Sequence, residues 1–155
     1  MQITIGVEQA IYVIAVLARQ NDNQPLKSHV LSKILDVSDS YLRKIIRKLV
    51  IAKIVKSSAS KTGGISLNMD TNKITFLDIF EAVGGNSSFL KLNNLGEKVI
   101  MNSVENFNNN SDKVVCVFNE AENEYKKVLS RFTIADLLAY EFENLPSIDW
   151  NLIVK

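Results

Sequence analysis

Ten consecutive residues, Tyr41-Leu42-Arg43-Lys44-Ile45-Ile46-Arg47-Lys48-Leu49-Val50, go in pairs, two apolar and then two basic. At 3.6 residues per turn this pattern lays an apolar stripe along one side of a helix and four cations along the other. From Tyr41 to Thr62 there are seven basic residues (Arg43, Lys44, Arg47, Lys48, Lys53, Lys56, Lys61) and no acidic one. A helix fastened to a core by one face, with a cationic opposite face, suits contact with a polyanion. A solvated surface helix has the same pattern and is the plainer alternative, so the surroundings must decide.

The charge is unevenly spread. Residues 1–75 carry eleven Lys/Arg against five Asp/Glu, and residues 76–155 carry seven against twelve, so a front half of +6 precedes a back half of −5 under a total of +1. One part is built to meet a polyanion and the other is not. At 155 residues the chain can bury a proper core without disulfides or metal. Cys116 is the only cysteine, which excludes an intrachain disulfide framework and points to a reducing compartment. The longest apolar run, Ala10 to Ala18, is shorter than the roughly 20 residues a bilayer requires. Glu8 and no basic residue precede it, unlike a secretory signal, so the expected location is cytoplasmic, with no membrane partner.

Ala10 to Ala18 predicts a first helix, apolar nearly all round and central to a core. Asn21-Asp22-Asn23-Gln24-Pro25 ends it. Leu26, Val30, Leu31, Ile34 and Leu35 recur at helical spacing and predict a short second helix. Asp36-Val37-Ser38 is a tight connection, with Ser38 or Asp39 placed to cap the basic third helix. Two helices joined so closely, the second basic, form a helix-turn-helix. Two short β-capable runs, Ile54-Val55-Lys56-Ser57 and Ile65-Ser66-Leu67, flank Gly63-Gly64 and predict a hairpin, which in this place is a wing. Thr75 caps a further helix, Phe76 to Val83, which Gly84-Gly85 stops.

Residues 86–112 are asparagine-rich and irregular, and are expected to be a linker or effector region. Beyond them Val114, Phe118, Ala121, Tyr125, Val128 and Phe132 are spaced 4-3-4-3-4, a short heptad seam. Such a seam can pack within one chain or against a second copy; a long helix after a linker favours the second copy, and a homodimer is expected. Thr133 starts a last helix, Ile134 to Phe142. The fold class expected is mainly α with a small β-hairpin: a winged helix-turn-helix domain (1–85), a linker (86–112), and a dimerisation helix with a C-terminal helix (113–155).

Catalysis needs a constellation, and none is visible. His29, the only histidine, lies along the second helix as an ordinary surface residue would, and it is remote in sequence from Cys116, so neither a metal site nor a cofactor is expected. Gly63-Gly64 lacks the lysine and hydroxyl of a phosphate-binding loop. The requirements of duplex binding are met. Lysine and arginine neutralise phosphates, and the N-terminal end of a helix can carry base-reading side chains into the major groove. Ser38, Ser40, Tyr41, Arg43 and Lys44 occupy that end, with Arg47 and Lys48 following. Arg43 or Lys44 could address guanine O6 and N7. Leu42, Ile45, Ile46 and Leu49 are expected to face inward. Lys61 at the hairpin tip could reach a flanking phosphate, or could be a solubilising loop lysine.

Ser38-Asp39-Ser40-Tyr41-Leu42, then Lys48-Leu49, Ala52, Ile54-Val55-Lys56-Ser57, Gly63-Gly64 and Leu67 resemble the winged-helix regulators of the IscR/NsrR/CymR type. The likeness continues through Ile74-Thr75, Asp78-Ile79 and Glu81-Ala82-Val83-Gly84-Gly85, and resumes at Val128-Leu129 and Thr133-Ile134-Ala135-Asp136-Leu137. The resemblance implies a dimeric bacterial transcription factor, usually a repressor, whose third helix reads double-stranded DNA and whose long later helix makes the dimer. Members that sense through an iron–sulfur cluster carry three cysteines before that helix, whereas this chain has only Cys116, which excludes a cluster held by three thiolates. Many relatives have a wing arginine where Ala59 stands here, and a glutamate frequent on the reading helix is Arg43. The first difference weakens the expectation of minor-groove contact, and the second implies a different operator.

The function expected is therefore a sequence-specific regulator, acting as a homodimer on a pseudo-palindromic operator, and not an enzyme. The competing reading is an adaptor whose winged helix binds an acidic protein. Cys116 is either a redox-sensing thiol or an inert one packed beside Val115 and Val117. The sequence shows no site for any other effector.

Overall fold

The first helix, α1 (Ile5–Ala18), turns its apolar character into burial almost all round: Val7, Ala10, Val13, Ile14, Ala15, Val16 and Leu17 are buried. It starts five residues before the expected Ala10, and Gly6 in its first turn sits close against its neighbours. A Cβ there would lie 3.0 Å from the Tyr41 hydroxyl and 3.4 Å from Val83 Cγ1. A computed structural model describes residues 4–60, 62–85, 104–142 and 145–154, with backbone only for 104–112. Lys61 and the segment 86–103 lie outside the described residues.

The second helix, α2 (Ser28–Leu35), ends at Asp36, which adopts the left-handed conformation (φ 51°) while the Val37 N–H returns to the Ser32 carbonyl at 3.0 Å. That closure makes the connection to α3 (Asp39–Ile51) only three residues long. Leu26, expected on α2, is not helical. It pairs with Ile65 through reciprocal N–H to carbonyl bonds of 2.8 Å each. Its spacing to Val30 and Leu31 is helical all the same, because pairing to a strand almost forty residues away leaves no local trace.

After α3, β1 (Val55–Ser57) and β2 (Ile65–Leu67) form the expected antiparallel hairpin, with Lys56 opposite Ser66. Both glycines are required by close approach. A Cβ on Gly63 would stand 2.3 Å from the Ser58 carbonyl oxygen, and one on Gly64 would stand 2.5 Å from that of Leu26.

Helices α4 (Phe76–Gly84) and α6 (Ile134–Glu141) start from a shared strand-like bridge between Thr75 and Thr133. Phe76 donates to the Phe132 carbonyl and Ile134 to that of Ile74, each at 2.9 Å. Each threonine caps its helix in a capping box, with Asp78 and Asp136 in the reciprocal role. Ile74 and Ile134, fully buried, join Ile14, Leu17, Leu31, Leu42, Leu49, Ile54 and Ile79 in one core.

The long helix α5 (Val104–Arg131, 28 residues) begins inside the asparagine-rich stretch expected to be a linker up to 112. Asparagine costs a helix only about 0.5 kcal/mol per residue relative to good formers, so a helix nucleated on the apolar seam can extend back through it. One compact unit holds residues 2–86 together with 130–155, and the other holds 87–129. The last helix ends at Glu141 rather than Phe142, and a further short helix, α7 (Trp150–Ile153), follows it.

The terminal segment is fixed to the far end of α1. The Asn21 N–H donates to the Ile148 carbonyl at 3.0 Å and the Ile148 N–H to the Arg19 carbonyl at 2.9 Å, the Trp150 indole donates to the Val16 carbonyl at 3.2 Å, and Arg19 lies 4.8 Å from the Phe142 ring centre. Gln20, buried, donates to Asp149 at 3.2 Å and accepts from the Trp150 N–H at 3.0 Å. Among the described residues no helix is long and apolar enough to cross a membrane.

Candidate nucleic-acid interface

Helix α3 divides as its periodicity requires. Leu42, Ile45, Ile46 and Leu49 are 0 to 6% exposed and form its inner side, as expected, while the charged residues stay in solvent. Positions 40, 43, 44 and 47 follow the i, i+3, i+4, i+7 spacing of a single helix face, so Ser40, Arg43, Lys44 and Arg47 form one exposed stripe. The two other long side chains of the basic run reach toward the protein. Tyr41 is 41% exposed, with its hydroxyl against Gly6 of α1, and Lys48 donates to the Val83 carbonyl at 2.5 Å. Lys48 thus caps the C-terminal end of α4, where a cation suits the helix dipole.

At the front of α3, the exposed Ser38 occupies the N-cap position as expected, but its hydroxyl pairs with that of Ser40 at 2.9 Å rather than with the helix backbone. Arg43 is ion-paired with Asp39 one turn earlier. The guanidinium holds the Asp39 carboxyl below the usual carboxylate range. Asp39, expected from sequence only as an alternative N-cap, takes part in the site as the partner of Arg43. Its spacing to Arg43, four residues with the acid first, was the available signal.

Arg43 and Arg47 rim a shallow cleft of about 460 Å³ against the hairpin, with Ile46, Val50 and Ile65 below and Ser28 and Ser57 at its sides. The cleft joins the start of α2, the exposed face of α3 and the wing. Ser28 and Ser57 were not identified from sequence. Beside it, Ser58 N–H bonds the Gly64 carbonyl at 2.9 Å, which closes the wing loop. Lys61, expected at the tip, falls outside the described residues, and Ala59 is exposed.

On α5, the seam residues Val114, Phe118 and Val128 are 48 to 50% exposed, and Val117, not included in the expected seam, is 63% exposed. Ala121 is exposed and Tyr125 half-buried; Phe132, just past the helix, is 56% exposed. Cys116 is exposed on the same helix, and His29 is exposed on α2.

The model of the Rrf2 family, described as iron-dependent transcriptional regulators, matches residues 3–140. YffB of Lactococcus lactis subsp. lactis, assigned as an HTH-type transcriptional regulator, is 33% identical over 137 residues, 88% of this chain and 86% of that protein. Among solved structures, a transcriptional regulator from Listeria innocua superposes with a TM-score of 0.68 at 23% identity, covering 94% of this chain and 91% of that one. CymR, the global cysteine regulator of Bacillus subtilis, superposes with a TM-score of 0.65 at 20% identity, over 90% and 98% of the two chains. The winged helix-turn-helix fold is common to this chain and both of those structures.

The family description raises the question of iron. The donor set here does not fit an iron–sulfur cluster: the sequence has one cysteine and one histidine, and among the described residues no three His, Cys, Asp or Glu side chains come together as a metal site would need.

Proposed function

This chain belongs to the Rrf2 family of transcriptional regulators, and from that premise we propose that it is a cytoplasmic, homodimeric repressor that recognises a pseudo-palindromic operator. The family is one of regulators and not of enzymes. The observation that carries the reading is the exposed stripe of Ser40, Arg43, Lys44 and Arg47 over an inner face that is almost wholly buried. Base edges are read by Arg43 or Lys44 near the front of α3, while Arg47 neutralises phosphate and the hydroxyls of Ser38 and Ser40 donate hydrogen bonds to it. Two copies of α3, brought together by the exposed apolar residues of α5, address half-sites about 34 Å apart.

Binding to the gene's own upstream DNA, compared with a random duplex of equal length across a salt series, tests this. Preferential binding to the upstream DNA, weakening by about 0.9 log unit per log unit of salt for each phosphate neutralised, is expected. The same titration with and without reductant tests whether Cys116 carries a redox signal. No binding to either duplex at low salt, together with capture of an acidic protein, would transfer the basic face to an adaptor role.

A further inference from the structure

The base-and-phosphate reading of α3 leaves one of its residues without a task. Asp39, in the first turn, carries a carboxylate whose two oxygens have different surroundings. Oδ2 takes the Arg43 guanidinium through Nη2, while Oδ1 is shut off from solvent and has no hydrogen-bond partner. Ser28, the first residue of α2, is its close neighbour, and Ser28 and Arg43 line the same cleft. With Oδ1 buried and Oδ2 taken by Arg43, neither oxygen of Asp39 is left free to accept from a base. Arg43, by contrast, keeps 67% of its side chain exposed.

A free arginine carries large rotamer entropy and reaches whichever phosphate is nearest. One anchored through a single nitrogen has its planar fork fixed, with the remaining donors available in one orientation. The carboxylate beside it also repels phosphate, which disfavours the non-specific pose. We propose that Asp39 is a positioning residue that sets sequence specificity: seated between α2 and α3, it holds Arg43 so that its guanidinium meets a guanine edge in the major groove rather than the backbone. This rests on the reading of α3 as the DNA-contacting helix.

The test is a double-mutant cycle of Asp39→Asn and Arg43→Ala, measured as the ratio of affinities for the operator and a random duplex, with thermal melts of each variant. Asp39→Asn is expected to lower that ratio by about 5- to 150-fold, the span of a bidentate base contact, while random-duplex affinity holds or rises. In the Arg43→Ala background it should lower the ratio no further. Asp39→Glu, which keeps the charge, should recover part of the discrimination and covers the case in which Asp39→Asn melts early. An unchanged ratio, an equal loss on both duplexes, or the same loss with and without Arg43 would overturn the assignment. A wild-type chain that prefers no sequence would instead bring down the regulator reading itself, and this one with it.

Discussion

Six charged or aromatic side chains crowd ten residues of α3, yet they divide by direction. Lys48 is occupied by the Val83 carbonyl at the end of α4, whereas Lys44 and Arg47 share the outward stripe with Arg43. The basic residues are alike in sequence, and only the helix angle relative to α4 separates a cap from a cation left facing solvent. Lys48→Ala should therefore cost stability, about 0.5–1 kcal/mol for a lost charged cap, with little change in the salt dependence of DNA binding. Lys44→Ala or Arg47→Ala should leave the urea midpoint nearly unchanged and reduce the log–log salt slope by about 0.9 if the side chain meets one phosphate. A reversed pattern would exchange their roles. Asp39 shows what sequence reading loses at this scale: a basic segment defined as beginning at Tyr41 excluded the one acid that grips it, because the boundary was drawn by charge and not by the helical turn.

The elements that were legible are those whose period is local. The inner face of α3 follows from spacing within a single helix, and the hairpin from two β-capable runs around Gly63-Gly64. What escaped depends on distant partners: Leu26 joins Ile65, and Trp150 and Gln20 meet across 130 positions. The paired starts of α4 and α6 belong to both classes. Each capping box is readable locally, but the bridge that joins Thr75 to Thr133 is not. The α6 box has a pH signature. The Thr133 backbone N–H, and then its hydroxyl, hold the Asp136 carboxyl below its ordinary value of 3.8. A group whose folded value is depressed binds protons more readily unfolded, so its contribution is complete above the ordinary value and is lost as pH falls through the folded one. Asp136→Asn should thus be destabilised by a constant amount at neutral pH. The gap to wild type should close below about pH 4, where protonation removes the carboxylate from both states. Melting curves across pH 2–7 read this directly. A gap that did not narrow in acid would mean that Asp136 acts through shape and not charge.

For the molecule as a whole, the open question is what covers α5. Val114, Val117, Phe118 and Val128 leave about half or more of their side-chain surface in solvent on one long helix. Apolar groups recurring at heptad spacing gain most from a matching helix, and a second copy of the chain supplies one by symmetry. That pairing would also explain how a single stripe of four residues on α3 can define a site, since two weak half-site contacts become one strong one when they are linked. Phe118→Glu places a charge in the middle of the seam without touching α3. It should yield a monomer by sedimentation, with the melting of the winged-helix unit preserved. Affinity for a full pseudo-palindrome should fall by roughly 10²-fold or more, the gain that linkage ordinarily provides, while affinity for an isolated half-site stays at the wild-type value. A Phe118→Glu protein that remains dimeric would move the interface off this seam. One that is monomeric yet binds the full site as tightly as before would show that each copy of α3 reads its DNA alone.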